Sequence, residues 1–420
     1  MTFSWGASLI AAVVLVSAAM RYWLSGRQSR WLARHAQRVP HPFSSSISLA
    51  DHQRAINYNL DKQALVRVEV IVDAVLSLAF TIGSGIAWLD AVAAEFANPP
   101  LLHGLLLLAA LTLVLGILGA PLDLYRTFVL EARHGFNKAT LRLWIIDRIK
   151  GALLAVLVGG PIAACILLAM QWAGALWWLS FWFAWLSVNL LALWLYPTWI
   201  APLFNTFRPL EDDALARRVH ALLSRCGYRA GGLYVMDGSR RSAHGNAYFT
   251  GTGDSRRIVF FDTLLEKLDH EETEAVLAHE LGHFRHRHIR KRFVVLSAAS
   301  LVVLALSALA LDSPALIQAV GLTIRSPAVD LALLSFLLPP VLFFVSPLGA
   351  WFSRRHEYEA DAFAARQVGP DALARALVKL YRDNAAALTT DPLHAVVFDS
   401  HPSALARIAR LREVAVESSA

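Results

Sequence analysis

Long apolar runs separated by polar connections occupy the first 200 residues, and two further apolar runs follow later in the chain. A helix needs about 20 apolar residues to cross about 30 Å of hydrocarbon. Runs of that length occur at 4–24, 68–89, 101–122, 151–172, 177–198, 293–311 and 329–350. The pattern predicts a mainly α-helical, polytopic membrane protein with seven transmembrane helices.

Two longer polar stretches interrupt this pattern and predict parts of the chain that lie outside the bilayer. In the first, residues 233–236 and 257–261 form short apolar runs bounded by Gly and Asp, which predict strands of a small sheet. Residues 271–288 carry apolar side chains at helical spacing. The chain is thus predicted to have four parts, at 1–204, 205–292, 293–350 and 351–420, of which the first and third hold the transmembrane helices.

The composition excludes an ordinary soluble enzyme, because 56% of the residues are hydrophobic, only 17% are charged and the mean hydropathy is +0.47. The net charge of +7 comes with basic residues concentrated in the connections 21–67 and 126–150, whereas 90–100 has none. Basic loops stay in the cytoplasm, and residues 1–4 lack a basic side chain, so the amino terminus is expected outside. The charge thus has a topological explanation, the expected partner is the lipid bilayer, and no nucleic-acid module accompanies it.

The chemistry is indicated by His279-Glu280-Leu281-Gly282-His283, an H-E-x-x-H pentapeptide within the predicted helix. Residues four apart share one face of a helix, so both imidazoles can bind one metal ion. Glu280 lies between them, where it can act as general base toward a water molecule activated by that ion. We therefore predict one zinc ion per chain and a hydrolytic reaction.

A catalytic zinc needs a third protein ligand and an open position. Glu357 and Asp361 follow the last apolar run and are four residues apart, so on a helix they share a face. Glu357 is the candidate ligand, and Asp361 is the candidate acceptor for the second ring N–H of a ligating histidine. The alternatives are a solvated carboxylate for Glu357 and, for Asp361, an ion pair with a neighbouring arginine.

The predicted topology is consistent with such a site. The chain crosses the membrane twice between the H-E-x-x-H motif and Glu357, so both return to the same, cytoplasmic face. The rival interpretation is a non-catalytic seven-helix scaffold or transporter that binds zinc structurally. Structural zinc sites are closed by a fourth protein ligand, and neither Cys165 nor Cys226 lies near the motif in sequence.

These features together resemble the type 1 CAAX prenyl proteases, which are integral-membrane zinc metalloproteases of the gluzincin group. The resemblance covers most of the chain and includes EARHGFN at 131–137, IAPLFN at 200–205, GSRRSAHGNAYF at 238–249 and EYEAD at 357–361. It implies seven helices around a large chamber, with the zinc site near the cytoplasmic end. By position, His279, His283 and Glu357 would be the metal ligands and Glu280 the base.

The resemblance also implies two sets of substrate-handling residues. Residues 244–249, with His244, Asn246, Ala247 and Tyr248, would form an edge strand that holds a peptide backbone. A structural turn and strand is the alternative there, and Gly245 departs from the Ser that family members often carry. His401 and Arg407 would stabilise negative charge on the attacked carbonyl, with a helix-capping turn as the alternative.

The basic cluster 285–292 is best interpreted as an anchor at anionic headgroups, and recruitment of acidic substrates or of additional metal is the alternative. The expected substrates are peptides or proteins, either prenylated proteins that lose their C-terminal tripeptide or membrane-embedded proteins degraded for quality control. Residues 417–420 carry no retention signal of the endoplasmic reticulum, and the spans are rich in Ala and Leu, which favours a bacterial inner membrane.

Overall fold

The computed structural model describes residues 5–250, 257–322 and 325–419. Residues 1–4 and 420, on which the expectations about the two chain ends partly rest, lie outside the described residues. Within the described part, the first half of the chain is helical: α1 Trp5–Arg34, α2 Leu49–Phe80, α3 Gly85–Phe96, α4 Pro100–Tyr125, α5 Leu141–Leu154, α6 Gly160–Ala173, α7 Trp177–Leu195 and α8 Ala201–Phe204.

The second half combines a small sheet with further helices. The strands are β1 Phe207–Pro209, β2 Gly232–Met236, β3 Ala247–Thr250 and β4 Arg257–Phe261. The helices are α9 Asp213–Arg225, α10 Asp262–Leu265, α11 His270–Arg285, α12 His288–Leu311, α13 Pro314–Ala319, α14 Pro327–Val368, α15 Pro370–Asp383, α16 Pro392–Phe398 and α17 Ala404–Ser419. The prediction of a mainly helical protein with a small sheet is confirmed.

The predicted count of seven membrane spans is not confirmed. Among the described residues, five helical stretches are long and apolar enough to cross a bilayer: Trp5–Arg34, Pro100–Glu131, Leu141–Phe204, His288–Leu311 and Pro327–Val368. The run at 68–89 falls on α2 and α3, which are bent by 57° and give a sixth candidate if taken together. The runs at 151–172 and 177–198 share the one stretch Leu141–Phe204, because short π-helical and 3-10 segments join its helices without a loop.

The helical stretch 141–204 nevertheless reverses direction. Gly174 adopts φ +53°, a left-handed conformation that costs glycine little, and α6 and α7 on either side of it pack against each other. A straight helix could not bring these two segments together.

The four described strands have the order β1-β2-β4-β3, with β2 parallel to β4 and the outer strands antiparallel to their neighbours. β2 and β4 lie where the sequence predicts strands. β1 was not predicted, because it is only three residues long and contains a proline. β3 begins at Ala247, so the predicted edge strand at 244–249 is wrong in its first three positions.

Two large apolar cores and a smaller third one lie among the described residues. The first packs the sheet against α9, α11, α15 and α17 and includes Leu222, Ile258, Phe260, Leu277 and Leu281. The second lies among the membrane helices and includes Leu107, Met170, Leu304 and Leu333. α14 contributes to both, since its apolar first half packs among the spans and its second half packs against α11.

Candidate metal centre and substrate edge

The H-E-x-x-H motif lies on α11, whose start and packing are specified locally. The Asp269 side chain accepts a hydrogen bond from the backbone N–H of Glu272, and the Glu272 side chain accepts one from the backbone N–H of Asp269. This capping box begins the helix. Near its other end, Gly282 lies against α14 so closely that an added Cβ would come within 2.9 Å of the Cα of Ala360. The absence of a side chain at Gly282 lets α11 and α14 approach each other.

This contact brings His279, His283 and Glu357 together from two helices. The two Nε2 atoms are 3.2 Å apart, His283 Nε2 lies 3.2 Å from Glu357 Oε1, and His279 Nε2 lies 3.5 Å from Glu357 Oε2. Ligands at about 2.1 Å in a tetrahedron around zinc are about 3.4 Å apart. The histidines approach different oxygens of Glu357, and all three separations are close to this spacing, so the three side chains form a candidate metal site.

The hydrogen bonding of Glu357 also fits a metal. Its side chain is buried, yet Oε2 forms no well-aligned hydrogen bond with a described residue. Three basic side chains approach this oxygen without making a well-aligned hydrogen bond to it. Their nitrogens lie 3.5 Å away in His279, 2.7 Å away in His401 and 3.6 Å away in Arg407. A buried carboxylate oxygen costs free energy unless it is paired, and a cation between Glu357 and the two histidines would supply that pairing.

Asp361 lies one helical turn beyond Glu357 and contacts His279 from behind. Its Oδ1 lies 2.8 Å from His279 Nδ1, and both of its oxygens bond to the guanidinium of Arg407 at 2.5 and 2.8 Å. Burial opposes protonation of His279, but the contact with Asp361 and the nearby carboxylate of Glu357 outweigh it and raise the pKa of His279 to about 9. Without a metal, His279 is therefore protonated at neutral pH.

Glu280 follows His279 on the same helix and is largely enclosed. Burial raises the pKa of Glu280, while the neighbouring charges of His279 and His283 lower it. A carboxylate with a raised pKa is a stronger base than an exposed one. The environment of Glu280 thus suits a group that takes up a proton.

His401 and Arg407 both reach the site, but from different sides. His401 is in the connection between α16 and α17, its side chain is 62% exposed, and its Nδ1 lies 2.7 Å from Glu357 Oε2. Arg354 holds this connection against α14 by donating to the carbonyl oxygens of Ala395 and Asp399. Arg407, in contrast, is buried behind the site, and its guanidinium pairs with the buried carboxylate of Asp361.

β3 is one of the two edge strands of the described sheet and lies beside α11. Phe261 N–H donates to the carbonyl of Asn246, and Ala247 lies opposite Phe260. Hydrogen-bonded and non-bonded pairs alternate in an antiparallel ladder, so Ala247 and Phe249 direct their backbone groups away from β4. The Ala247 N–H is occupied locally by Oδ1 of Asn246, at 2.8 Å.

The side chain of Tyr248 lies on the face of β3 opposite to that of Ala247 and Phe249. Its ring is edge-on to that of Phe261, with the ring centroids 6.3 Å apart. Burial, together with the nearby phenol of Tyr196, raises the pKa of Tyr248 to about 12. Tyr248 is therefore a neutral side chain at every physiological pH.

His244 precedes the edge strand and contacts the segment 131–137. Its ring stacks on Phe136 with centroids 4.4 Å apart, Nδ1 lies 3.3 Å from Asn384 Oδ1, and Nε2 lies 3.8 Å from Glu131 Oε2. Backbone hydrogen bonds from Lys138 to Arg241 and from Ala243 to Phe136 tie the two segments together. The sequence motifs at 131–137 and 238–249 thus meet in one structure beside the edge strand.

Two residues at this site are not predicted from the sequence. His288 falls in the basic cluster 285–292, which is interpreted as a membrane anchor, and Glu359 has no predicted role. In the structure, the predicted helix 271–288 ends at Arg285, and α12 begins at His288, whose ring lies against His283. Glu359 Oε2 lies 3.0 Å from His288 Nε2. A histidine five residues after the motif was the available signal, but its direction depends on the turn between the helices.

Comparisons with known proteins assign most of the chain. Residues 28–206 match the family model described as 'CAAX prenyl protease N-terminal, five membrane helices'. Residues 209–415 match the model of Peptidase family M48. The CAAX prenyl protease 1 homolog of Oryza sativa subsp. japonica is 33% identical, over 89% of this chain and 90% of its own length. CAAX prenyl protease 1 of Saccharomyces cerevisiae is 31% identical, over 88% of this chain and 82% of its own length.

A solved structure agrees with these matches. The crystal structure of S. mikatae Ste24p superposes with a TM-score of 0.91 at 29% identity and covers 97% of this chain and 99% of that one. The predicted resemblance is therefore confirmed. The chain belongs to the CAAX prenyl protease 1 family and is an integral-membrane metalloendopeptidase of peptidase family M48.

Proposed function

We propose that the enzyme binds one zinc ion through Nε2 of His279, Nε2 of His283 and the carboxylate of Glu357, and cleaves peptide bonds of a substrate that adds to β3. The observation that carries the proposal is the set of 3.2–3.5 Å separations among the three side chains. When bound there, zinc would polarise the scissile carbonyl and acidify a water molecule.

The chain's own residues account for the remaining steps. Glu280 removes the proton of the attacking water and delivers it to the leaving amine, for which its enclosed position and raised pKa suit it. Asp361 keeps the ring of His279 oriented through Nδ1. His401 is exposed beside Glu357 and donates to the negative charge that develops on the carbonyl oxygen. Arg407 adds a fixed positive charge from the buried side.

The substrate is held mainly by its backbone. An extended peptide can pair with the outward N–H and C=O groups of Ala247 and Phe249 as a further strand. Asn246 must first release the Ala247 N–H, which its side chain occupies in the structure. Tyr248 packs behind the strand, and His244 fixes its start against the segment 131–137. Backbone pairing of this kind accepts many side chains, so the selection of a C-terminal tripeptide or of a prenyl group must come from residues outside β3.

The active site is proposed to face the cytoplasm. The basic connection 21–67 contacts the polar C-terminal part, since Arg27 pairs with Asp391 at 2.8 Å and Asn59 donates to the carbonyl of Ala385. Basic segments stay on the cytoplasmic side, so the metal site lies there as well. If the stretch 141–204 crosses twice and α2 with α3 crosses once, the chain has seven crossings and an external amino terminus.

The relatives are named CAAX prenyl proteases, and we infer that this chain removes the C-terminal tripeptide of prenylated proteins. Purified enzyme in lipid vesicles should contain one zinc per chain and cleave a farnesylated C-a-a-X peptide, while the unprenylated peptide and an unfolded membrane protein serve as competing substrates. Preference for the membrane protein would instead support a quality-control role. Bound zinc without cleavage of any substrate would support the non-catalytic scaffold.

The control for this experiment is Glu280→Gln, which preserves the shape of the side chain and removes the base. It should contain the same zinc as the native enzyme and cleave all three substrates at least about 100-fold more slowly. Native-like cleavage by Glu280→Gln would overturn the proposed mechanism.

A further inference from the structure

The two candidate histidine ligands have different partners behind the metal site. Both direct Nε2 toward Glu357, and His279 contacts a carboxylate through Nδ1. Nδ1 of His283 instead lies 2.9 Å from Nδ1 of His288. Nε2 of His288 then lies 3.0 Å from Oε2 of Glu359. His283, His288 and Glu359 form a chain of two hydrogen bonds that leads away from the site.

Only one arrangement of protons satisfies this chain when Nε2 of His283 binds a metal. The His283 proton is then on Nδ1 and is donated to His288. His288 accepts it on its own Nδ1 and therefore carries its proton on Nε2. That proton is donated to the carboxylate of Glu359. The carboxylate at the far end thus determines which nitrogen of each imidazole is free to accept.

The surroundings hold His288 in this position. The His288 side chain is 4% exposed, and its ring is nearly parallel to those of His356 and His286, with centroids 4.0 and 5.5 Å away. Arg287, immediately before it, adopts φ +56°, which is strained for a residue with a side chain. This left-handed residue separates α11 from α12. Backbone strain persists only where the surrounding contacts compensate for it, and the contacts of His288 are among them.

Glu359 is fixed from the opposite side by Arg355, whose Nε lies 3.2 Å from Oε1. His288 and Glu359 are 71 residues apart in the chain and come from different helices. Their pairing therefore depends on the packing of α12 and α11 against α14.

We propose that His288 and Glu359 are positioning residues that fix the tautomer and ring orientation of His283, as Asp361 does for His279. The inference rests on the proposed ligation of zinc by His283. Partners of this kind typically contribute 10- to 100-fold to metal affinity. They act through His283 and do not touch the substrate.

Two substitutions of His288 separate hydrogen bonding from packing. His288→Phe keeps a stacking ring and removes the acceptor, whereas His288→Asn loses the ring but keeps an acceptor near the position of Nδ1. We expect His288→Phe to weaken zinc binding about 10- to 100-fold and His288→Asn to remain close to the native affinity. A purely structural role predicts the reverse order. His286→Phe is the control, because His286 stacks on His288 but is not part of the chain of hydrogen bonds. This variant should bind zinc normally.

The measurements are zinc affinity by chelator competition and the visible absorption spectrum of the cobalt-substituted protein, which reports ligand geometry independently of activity. Native affinity in His288→Phe, or equal weakening in folded His288→Phe and His288→Asn, would overturn the proposal. Glu359→Ala, at a partly exposed side chain, tests the chain without disturbing the core. It should weaken zinc binding in the native background and add little to His288→Phe, since both act on one path.

Full additivity of the two substitutions would count against a shared path and overturn the proposal. Failure of the native protein to bind zinc is a different result, because it would overturn the proposed metal site and this inference with it. His283→Ala distinguishes the two levels: it should abolish tight binding if His283 is a ligand, whatever His288 does.

Discussion

Zinc binding should release a proton from His279 and should therefore depend strongly on pH. In the metal-free protein, His279 donates Nδ1–H to Asp361, and its Nε2 faces Glu357, which together raise its pKa from 6.5 to about 9 despite burial. A metal must replace the proton on Nε2. Asp361 keeps its hydrogen bond in both states, so only one of the two ring protons is exchanged.

The magnitude follows from this pKa. At pH 7 about 1% of His279 is neutral, so the proton weakens zinc binding by about two orders of magnitude, or about 2.7 kcal/mol. Between pH 7 and pH 9 the affinity should rise about 50-fold through His279 alone. A histidine with an ordinary pKa of about 6.5 would give less than about a twofold change over the same range.

The assay is zinc titration by calorimetry at pH 7.5 in two buffers of different ionisation enthalpy, together with chelator competition at pH 7, 8 and 9. We expect release of about one proton per zinc at pH 7.5 and about half of one at pH 9. Asp361→Asn removes the strongest contact that raises the pKa of His279, so its pH dependence should move to lower pH. Equal native affinities at pH 7 and pH 9, with no proton released, would refute the reasoning.

The raised pKa of His279 also affects how the stability of the metal-free protein depends on pH. A raised pKa in the folded state stabilises the fold fully below the unfolded value of 6.5, and this contribution is lost as the pH rises to about 9. Thermal unfolding of the metal-free protein in detergent should therefore occur at lower temperature at pH 9 than at pH 6.5. Zinc should remove most of the difference.

Three further predictions concern the site and its orientation. Glu280→Gln should lower kcat by about 10²- to 10⁴-fold with zinc content unchanged. Glu357→Ala should instead weaken zinc binding more than about 100-fold. Retention of zinc by Glu357→Ala would reassign the third ligand. Ala247→Pro should lower kcat/KM steeply with zinc bound, because it removes an outward N–H. Tyr248→Phe should have little effect on cleavage, and Tyr248→Pro should disrupt the sheet. Normal cleavage by folded Ala247→Pro would exclude edge binding. In a cysteine-free background, an impermeant thiol reagent applied to intact cells should label Glu95→Cys and spare Glu271→Cys until the membrane is permeabilised, and the opposite pattern would place the metal site outside.

Several features follow from short-range sequence signals. α11 starts where Asp269 and Glu272 form a capping box, and the four-residue spacing of the two histidines places both imidazoles on one face. β2 and β4 coincide with short apolar runs between turn residues. In each case the determining residues lie within one turn or one strand of each other, so no tertiary contact is needed to specify them.

Other features depend on distant contacts and were predicted incorrectly or not at all. The helix of the motif ends at Arg285, because the next residues turn through a left-handed Arg287 that no local pattern marks. β3 starts at Ala247 because its pairing with β4 begins there. The seven spans predicted from hydropathy are not confirmed, since bends and π-helical joints between apolar runs are set by the packing of neighbouring helices.

The sequence by itself determined the apolar runs, the H-E-x-x-H helix and the identity of the residues available to bind a metal. Only the tertiary structure decided which of these residues meet: Glu357 with the two histidines, Asp361 with His279 and Arg407, and Glu359 with His288. The physical reason is that hydrophobic periodicity and helix capping act over a few residues. Side-chain hydrogen bonds between α11, α12, α14 and α17 depend instead on how closely whole helices approach, as at Gly282 and Ala360.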